Sequence, residues 1–125
     1  FSAWKYADDL DKSVPTNDRD ATKQSYALWV RDRQEADEEL KSKSADDLKA
    51  EGIKGITLTE RLLLELKYHK ETGKHLDIKN WTLCSGSRDS DGSVPDVLWY
   101  GSKLGVYWYY SSSRSSYLRS RAVSL

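Results

Sequence analysis

Only one cysteine, Cys84, occurs in the 125 residues, so no internal disulfide can form and the small secreted scaffolds that depend on such staples are excluded. No apolar run approaches the roughly 20 residues that cross a bilayer as a helix, and no membrane insertion is expected. Net charge is also lacking. Twenty Lys and Arg cancel twenty Asp and Glu, which leaves no overall attraction toward nucleic acid or an anionic membrane. Methionine is absent and histidine occurs twice, so the inventory for metal or catalytic chemistry is thin. At 14.3 kDa the chain suits a single domain over residues 1–125, with one core and little to spare for a second. It begins at Phe1 rather than Met, and a signal peptide could have preceded it.

What is present is distributed unevenly. Residues 1–80 carry 32 of the 40 charged side chains, and residues 81–125 carry 8. Tyr and Ser run the other way: they fill twelve of the 26 positions from Ser93 to Leu118, against thirteen in the other 99. Tyr26, Trp29, Val30 and Arg33 recur at three- and four-residue spacing and predict a helix from about Asp20 to Leu40. The polar stretch from Lys41 to Gly55 suggests a loop with a short helical turn around Ala45–Ala50. Thr57-Leu58-Thr59-Glu60 has capping-box spacing, Leu62, Leu63 and Leu66 form the expected buried stripe, and Gly73 suits a left-handed helix end. Beyond it the period becomes two, predicting strands near Asn80–Cys84, Val94–Trp99, Gly105–Tyr110 and Leu118–Val123. Helices first and strands last indicate an α+β fold.

Within Val106-Tyr107-Trp108-Tyr109-Tyr110, alternation places Val106 and Trp108 on one face and Tyr107 and Tyr109 on the other. The first pair is expected to be core and the second display. Tyr and Trp bury large areas at low entropic cost and Ser supplies adaptable hydrogen bonds, the composition of a binding surface. An ordinary sheet with tyrosines at its wet boundary is the plain alternative. His69 and His75 are six apart, not the four of a zinc-binding helix. Cys84 reads as a small buried hydrophobe. Asp89-Ser90-Asp91-Gly92 has part of a calcium-loop pattern without its downstream Glu, and a turn is preferred. Arg114, Arg119 and Arg121 are too few to make a nucleic-acid groove. No metal, cofactor or catalytic group is assigned, and no enzyme is expected. Trp4, Tyr6 and Trp29 are expected in the core or in an oligomer contact, and the oligomeric state is left open.

A resemblance is carried by Trp81-Thr82-Leu83-Cys84-Ser85-Gly86-Ser87-Arg88, Asp91-Gly92, Trp99, Trp108 and Leu118-Arg119-Ser120-Arg121-Ala122. Over roughly residues 57–125 the chain resembles the variable proteins of diversity-generating retroelements, the archaeal and archaeal-virus members above all; Leu58-Thr59-Glu60 is similar to a helix start found in them. The resemblance implies a C-type-lectin-like fold of the subtype shared with formylglycine-generating enzymes, with two main helices and a twisted antiparallel sheet. Formylglycine chemistry uses a cysteine pair and this chain has one cysteine, so that enzymatic branch is excluded. The lectin sugar motifs Glu-Pro-Asn and Trp-Asn-Asp are absent.

In that family, mutagenesis at adenines, mostly in AAC or AAT asparagine codons, yields Tyr, Ser, Asp, Gly, Val, Leu and others but never Lys, Glu, Gln, Met or Trp. Residues 93–118 contain no Glu, Gln or Met, and the resemblance makes Lys103, Trp99 and Trp108 fixed scaffold. The variable, ligand-binding candidates are then Asp96, Leu98, Tyr100, Gly105, Tyr107, Tyr109, Tyr110, Ser111, Ser113, Ser115, Ser116 and Tyr117. The implied partner is a protein or cell-surface receptor met from a virion or cell surface. A lectin-like adhesion or carbohydrate-binding domain of fixed specificity is the alternative.

Overall fold

A computed structural model describes the backbone of residues 2–5 and 9–125, and the side chains of Lys5 and of residues 9–125. Trp4 and Tyr6, considered above for core or oligomer contacts, have side chains outside the described residues. In chain order the elements are β1 (Ser2–Lys5), α1 (Leu10–Ser13), β2 (Thr16–Asn17), β3 (Trp29–Val30), a 3-10 turn (Glu38–Leu40), α2 (Ala45–Ala50) and α3 (Leu58–Thr72), followed by β4 (Trp81–Leu83), β5 (Ser87–Arg88), β6 (Val94–Tyr100), β7 (Lys103–Tyr109), β8 (Leu118–Ser120) and β9 (Val123–Ser124). The fold is α+β.

The main sheet has the order β1-β7-β6-β4-β8. It is mixed, not the antiparallel sheet expected. β6 pairs antiparallel with β7 and with β4, whereas β1 joins β7 and β8 joins β4 in parallel. The chain's two ends supply the edge strands, and each parallel pairing needs a long return that the intervening elements provide. Two small ribbons, β2–β5 and β3–β9, lie beside it.

Alternation along the strands gives the sheet two buried faces. Val97, Leu104 and Val106 pack with Cys84, Val14 and Leu58 on the α3 side. Leu83, Val94 and Leu118 pack with Leu40, Ala45 and Leu48 on the α2 side. Both helices begin where local chemistry directs. The Thr57 hydroxyl accepts from Glu60 N–H (3.2 Å) and the Glu60 carboxylate accepts from Thr57 N–H (2.9 Å), while Ser44 and Asp47 form the same reciprocal pair at α2. Gly73 ends α3 at φ 73°, a left-handed conformation that a side chain would strain.

The helical expectations fail in two places. The helix over residues 20–40 is absent. The Asp20 carboxylate accepts from both the amide and the hydroxyl of Thr22 (2.9 and 2.6 Å), closing a turn where a helix would start. Trp29 and Val30 pair with β9 instead, and Glu35 accepts the amides of Ile78, Lys79 and Asn80. These distant bonds outweigh a periodicity that had no cap to nucleate it.

The stripe on α3 is also misplaced. Leu63 and Leu66 are exposed and Leu62 is half-buried; the inward positions are Leu58, Glu60, Arg61 and Glu65. Arg61 is fully buried and pairs with Glu65 (3.3 Å) and Asp77 (3.0 Å), and Asp77 pairs with buried Arg121 (2.9 Å). Thr82 donates to Asp77, and Arg121 also donates to Thr82 and to the carbonyls of Arg33 and Gln34. Two cations and two carboxylates neutralise one another, which lets a charged helix face sit inside. Arg121 also ends the expected Leu118–Val123 strand, dividing it into β8 and β9.

Candidate binding surface

The hairpin of β6 and β7 organises the carboxy-terminal residues. Asp96 lies opposite Tyr107, Leu98 opposite Gly105 and Val94 opposite Tyr109; on the other side of β6, Leu83 faces Asp96. Directly opposed residues share a face, so Leu83, Asp96, Tyr107 and Tyr109 all point to the α2 side. The division of β7 into a core pair and a display pair therefore needs correcting. Val106 is buried, but Trp108 is 45% exposed, and Tyr107 and Tyr109 are half-buried. Trp108 packs edge-on against Tyr110, 5.2 Å between ring centres. Trp99 is half-buried against His75, which stacks in turn on His69.

Trp81 gathers the tyrosines. Its ring centre lies 5.4 Å from that of Tyr107, 6.1 Å from Tyr109 and 5.4 Å from Tyr117, with the planes inclined at 38°, 77° and 47°. The hydroxyls of Tyr109 and Tyr117 share a 2.8 Å hydrogen bond. Burial, then that shared bond, raises the Tyr109 pKa; the same bond lowers that of Tyr117. Trp81 stands on β4 and Tyr107 on β7, with β6 between them, so their contact passes above β6. Tyr107 leans across Gly105, where an added Cβ would lie 2.5 Å from its ring; only glycine leaves room.

Asp96 is fully buried in this region, and neither carboxylate oxygen has a hydrogen-bond partner among the described residues. Burial pushes its pKa up to about 8, opposed only by its own backbone amide.

The serine-rich loop is held rather than loose. Asp46 N–H donates to the Ser111 carbonyl (3.0 Å), and Arg114 grips Asp47 with two bonds of 2.6 and 2.7 Å, holding that carboxylate well below its usual pKa. The short helix α2 thus buttresses the loop.

The twelve candidates fall into three sets. Tyr100, Tyr110, Ser116 and Tyr117 are exposed; Tyr107, Tyr109, Ser111, Ser113 and Ser115 are half-buried; Asp96, Leu98 and Gly105 are buried. Tyr109 and Tyr117 gather at Trp81 and Ser111 bonds α2, whereas Tyr110 packs on Trp108 on the opposite face. Tyr100 lies at the other end of the hairpin, where it lines a depression of about 320 Å³ with Lys103, Gly105 and Tyr107. Nothing in the sequence pattern placed Trp81 on this surface. Alternation aligned Trp81 with Leu83, but nothing in the sequence brings β4 beside β6.

Elsewhere, Tyr26, Leu28, Trp29, Leu63 and Leu64 line an apolar groove of about 480 Å³, with Trp29 three-quarters exposed. Ser93 N–H donates to both Asp89 and Asp91 (2.9 Å each), closing a turn in which the Asp89 pKa rises to about 6 through burial and its neighbour's charge, and that of Asp91 falls to about 2. Cys84 is buried, with its thiol pKa pushed up by desolvation. Among the described residues no three His, Cys, Asp or Glu side chains are placed to hold a metal ion. Comparison with known proteins finds no matching family model, no similar curated protein and no similar solved structure.

Proposed function

We propose that this chain is a ligand-binding display domain of the C-type-lectin-like kind, a variable protein of a diversity-generating retroelement of archaeal or archaeal-virus type, without catalytic activity. Its partner is a protein or receptor on a cell surface. One observation carries the reading: Tyr109 and Tyr117, joined by their hydroxyls beside Trp81, lead into a partly exposed serine-rich loop that is fixed to the sheet at one end and to α2 through Arg114–Asp47. Rigid backbone under amphipathic side chains limits the entropy lost on binding, which is what a display surface needs.

Burial divides the candidates further. Ser111, Ser113, Ser115, Ser116, Tyr110 and Tyr117 can change without disturbing either buried cluster. Leu98 and Gly105 cannot, since one is core and the other lies beneath Tyr107. That constraint is the observation favouring the second reading, a lectin-like adhesion module of fixed specificity.

Sequencing the genomic locus separates the two. A near-identical downstream repeat, differing from codons 93–118 only at adenines and lying beside a reverse transcriptase gene, is the expected result. A locus with neither repeat nor reverse transcriptase refutes diversification and leaves the fixed module.

A further inference from the structure

The aromatic cluster and the carboxylate beneath it belong to one arrangement. From the geometry we infer that the Trp81–Tyr107–Tyr109–Tyr117 cluster, with Asp96 below it, receives an alkylammonium group presented by the partner. Asp96 is fully buried with both oxygens unpartnered among the described residues, whereas buried carboxylates are ordinarily hydrogen-bonded or paired. Among the described residues the other fully buried acids are paired: Glu65 with Arg61, Asp77 with Arg61 and Arg121, and Asp37 with Arg31. The cation missing at Asp96 is the one a ligand would bring.

The rings above suit that cation. Trp81 meets the rings of Tyr107, Tyr109 and Tyr117 at inclinations of 38°, 77° and 47°, on the side of the sheet to which Asp96 points. Each ring face attracts a cation within about 6 Å of its centre, and the attraction grows as water is removed. The charge of the carboxylate reaches both hydroxyls, adding slightly to the rise at Tyr109 and slightly opposing the fall at Tyr117. The cluster meets solvent at the Tyr109–Tyr117 hydroxyl pair, where Tyr117 is 42% exposed, and a ligand would enter by parting that hydrogen bond.

Among the described residues the titratable side chains around Asp96 are the tyrosines 107, 109 and 117, the buried Cys84 thiol, and Lys103 at the exposed end of β7. None of them is a neutralising cation at the carboxylate. An ammonium group seated there supplies the counter-charge, while the rings replace its hydration.

The inference rests on the display reading for the choice of surface, but its test needs neither the natural partner nor the locus, so each can fail alone. The protein is titrated at pH 8 with methylammonium and with tetramethylammonium chloride, following the Trp81 indole resonance by NMR. Neopentyl alcohol serves as the neutral isostere of the larger cation, and sodium chloride controls for ionic strength. At least one cation is expected to give a saturable shift that the alcohol does not, and Asp96→Asn to weaken it at least tenfold. Tyr117→Phe, which keeps the ring and removes the hydroxyl pair, is expected to retain binding. No saturable shift with either cation, equal binding of the alcohol, or unchanged affinity in Asp96→Asn overturns the inference.

Discussion

Replacing Asp96 by Asn is expected to stabilise the protein, and to do so only above acidic pH. An unfolded aspartate loses its proton near pH 4, while in the folded chain the buried carboxyl holds its proton to about pH 8. Between those values the folded state binds one more proton than the unfolded state, so the contribution of this residue to stability falls as pH rises. A span of about four pH units at ~1.36 kcal/mol each amounts to roughly 5 kcal/mol by pH 8. Asn has nearly the same shape and no charge. At pH 4.5 it replaces one neutral buried polar group with another, and the two proteins should agree within about 1 kcal/mol. At pH 8 the variant should be more stable by about 3 to 5 kcal/mol, a large share of the 5–15 kcal/mol available to a small domain. Urea denaturation of both proteins at pH 4.5, 6 and 8 and constant ionic strength measures this. Every other titrating group is common to the pair and cancels in the difference. A stability difference that stays constant across the range would show that Asp96 is solvated or paired, and would remove the ground for the cation site as well.

Asp77→Ala leaves Arg61 and Arg121 buried without their shared carboxylate, and unfolding in urea should show a loss of about 3 to 5 kcal/mol; a loss under 1 kcal/mol would mean that water replaces the carboxylate. Trp108→Ala should cost about 1 to 2 kcal/mol because nearly half of the residue is already exposed, and Tyr109→Ala about 2 to 3 kcal/mol, since it removes ring packing and a hydroxyl bond together. The reverse order would restore Trp108 to the core and Tyr109 to display.

What could be read from the sequence was what lies within a few residues along the chain. Thr57 and Glu60 are three apart and satisfy each other's backbone amides in any helix that starts there, and Gly73 accepts the left-handed geometry that other residues resist. The alternation in Val94–Trp99 and Val106–Tyr110 marks strands because successive side chains must point to opposite faces. The Tyr and Ser excess marked the region that became the candidate surface.

Which face is buried is another matter. Leu63 and Leu66 lost to Arg61 and Glu65 because Asp77 and Arg121, sixteen and sixty residues beyond Arg61, complete a neutral network only after the sheet forms. The apolar period in residues 20–40 lost to Glu35 bonding the amides of 78–80 and to Trp29–Val30 pairing with β9. Trp81 meets Tyr107 and Tyr109 only because β4 and β7 flank β6, and Tyr117 only because β8 pairs with β4. The sequence by itself determined the local elements, helix starts, helix end and strand alternation, through bonds and steric limits spanning a few residues. The tertiary structure alone decided which charges could be buried and which aromatics share a surface, because both depend on partners that exist only once distant segments are packed together.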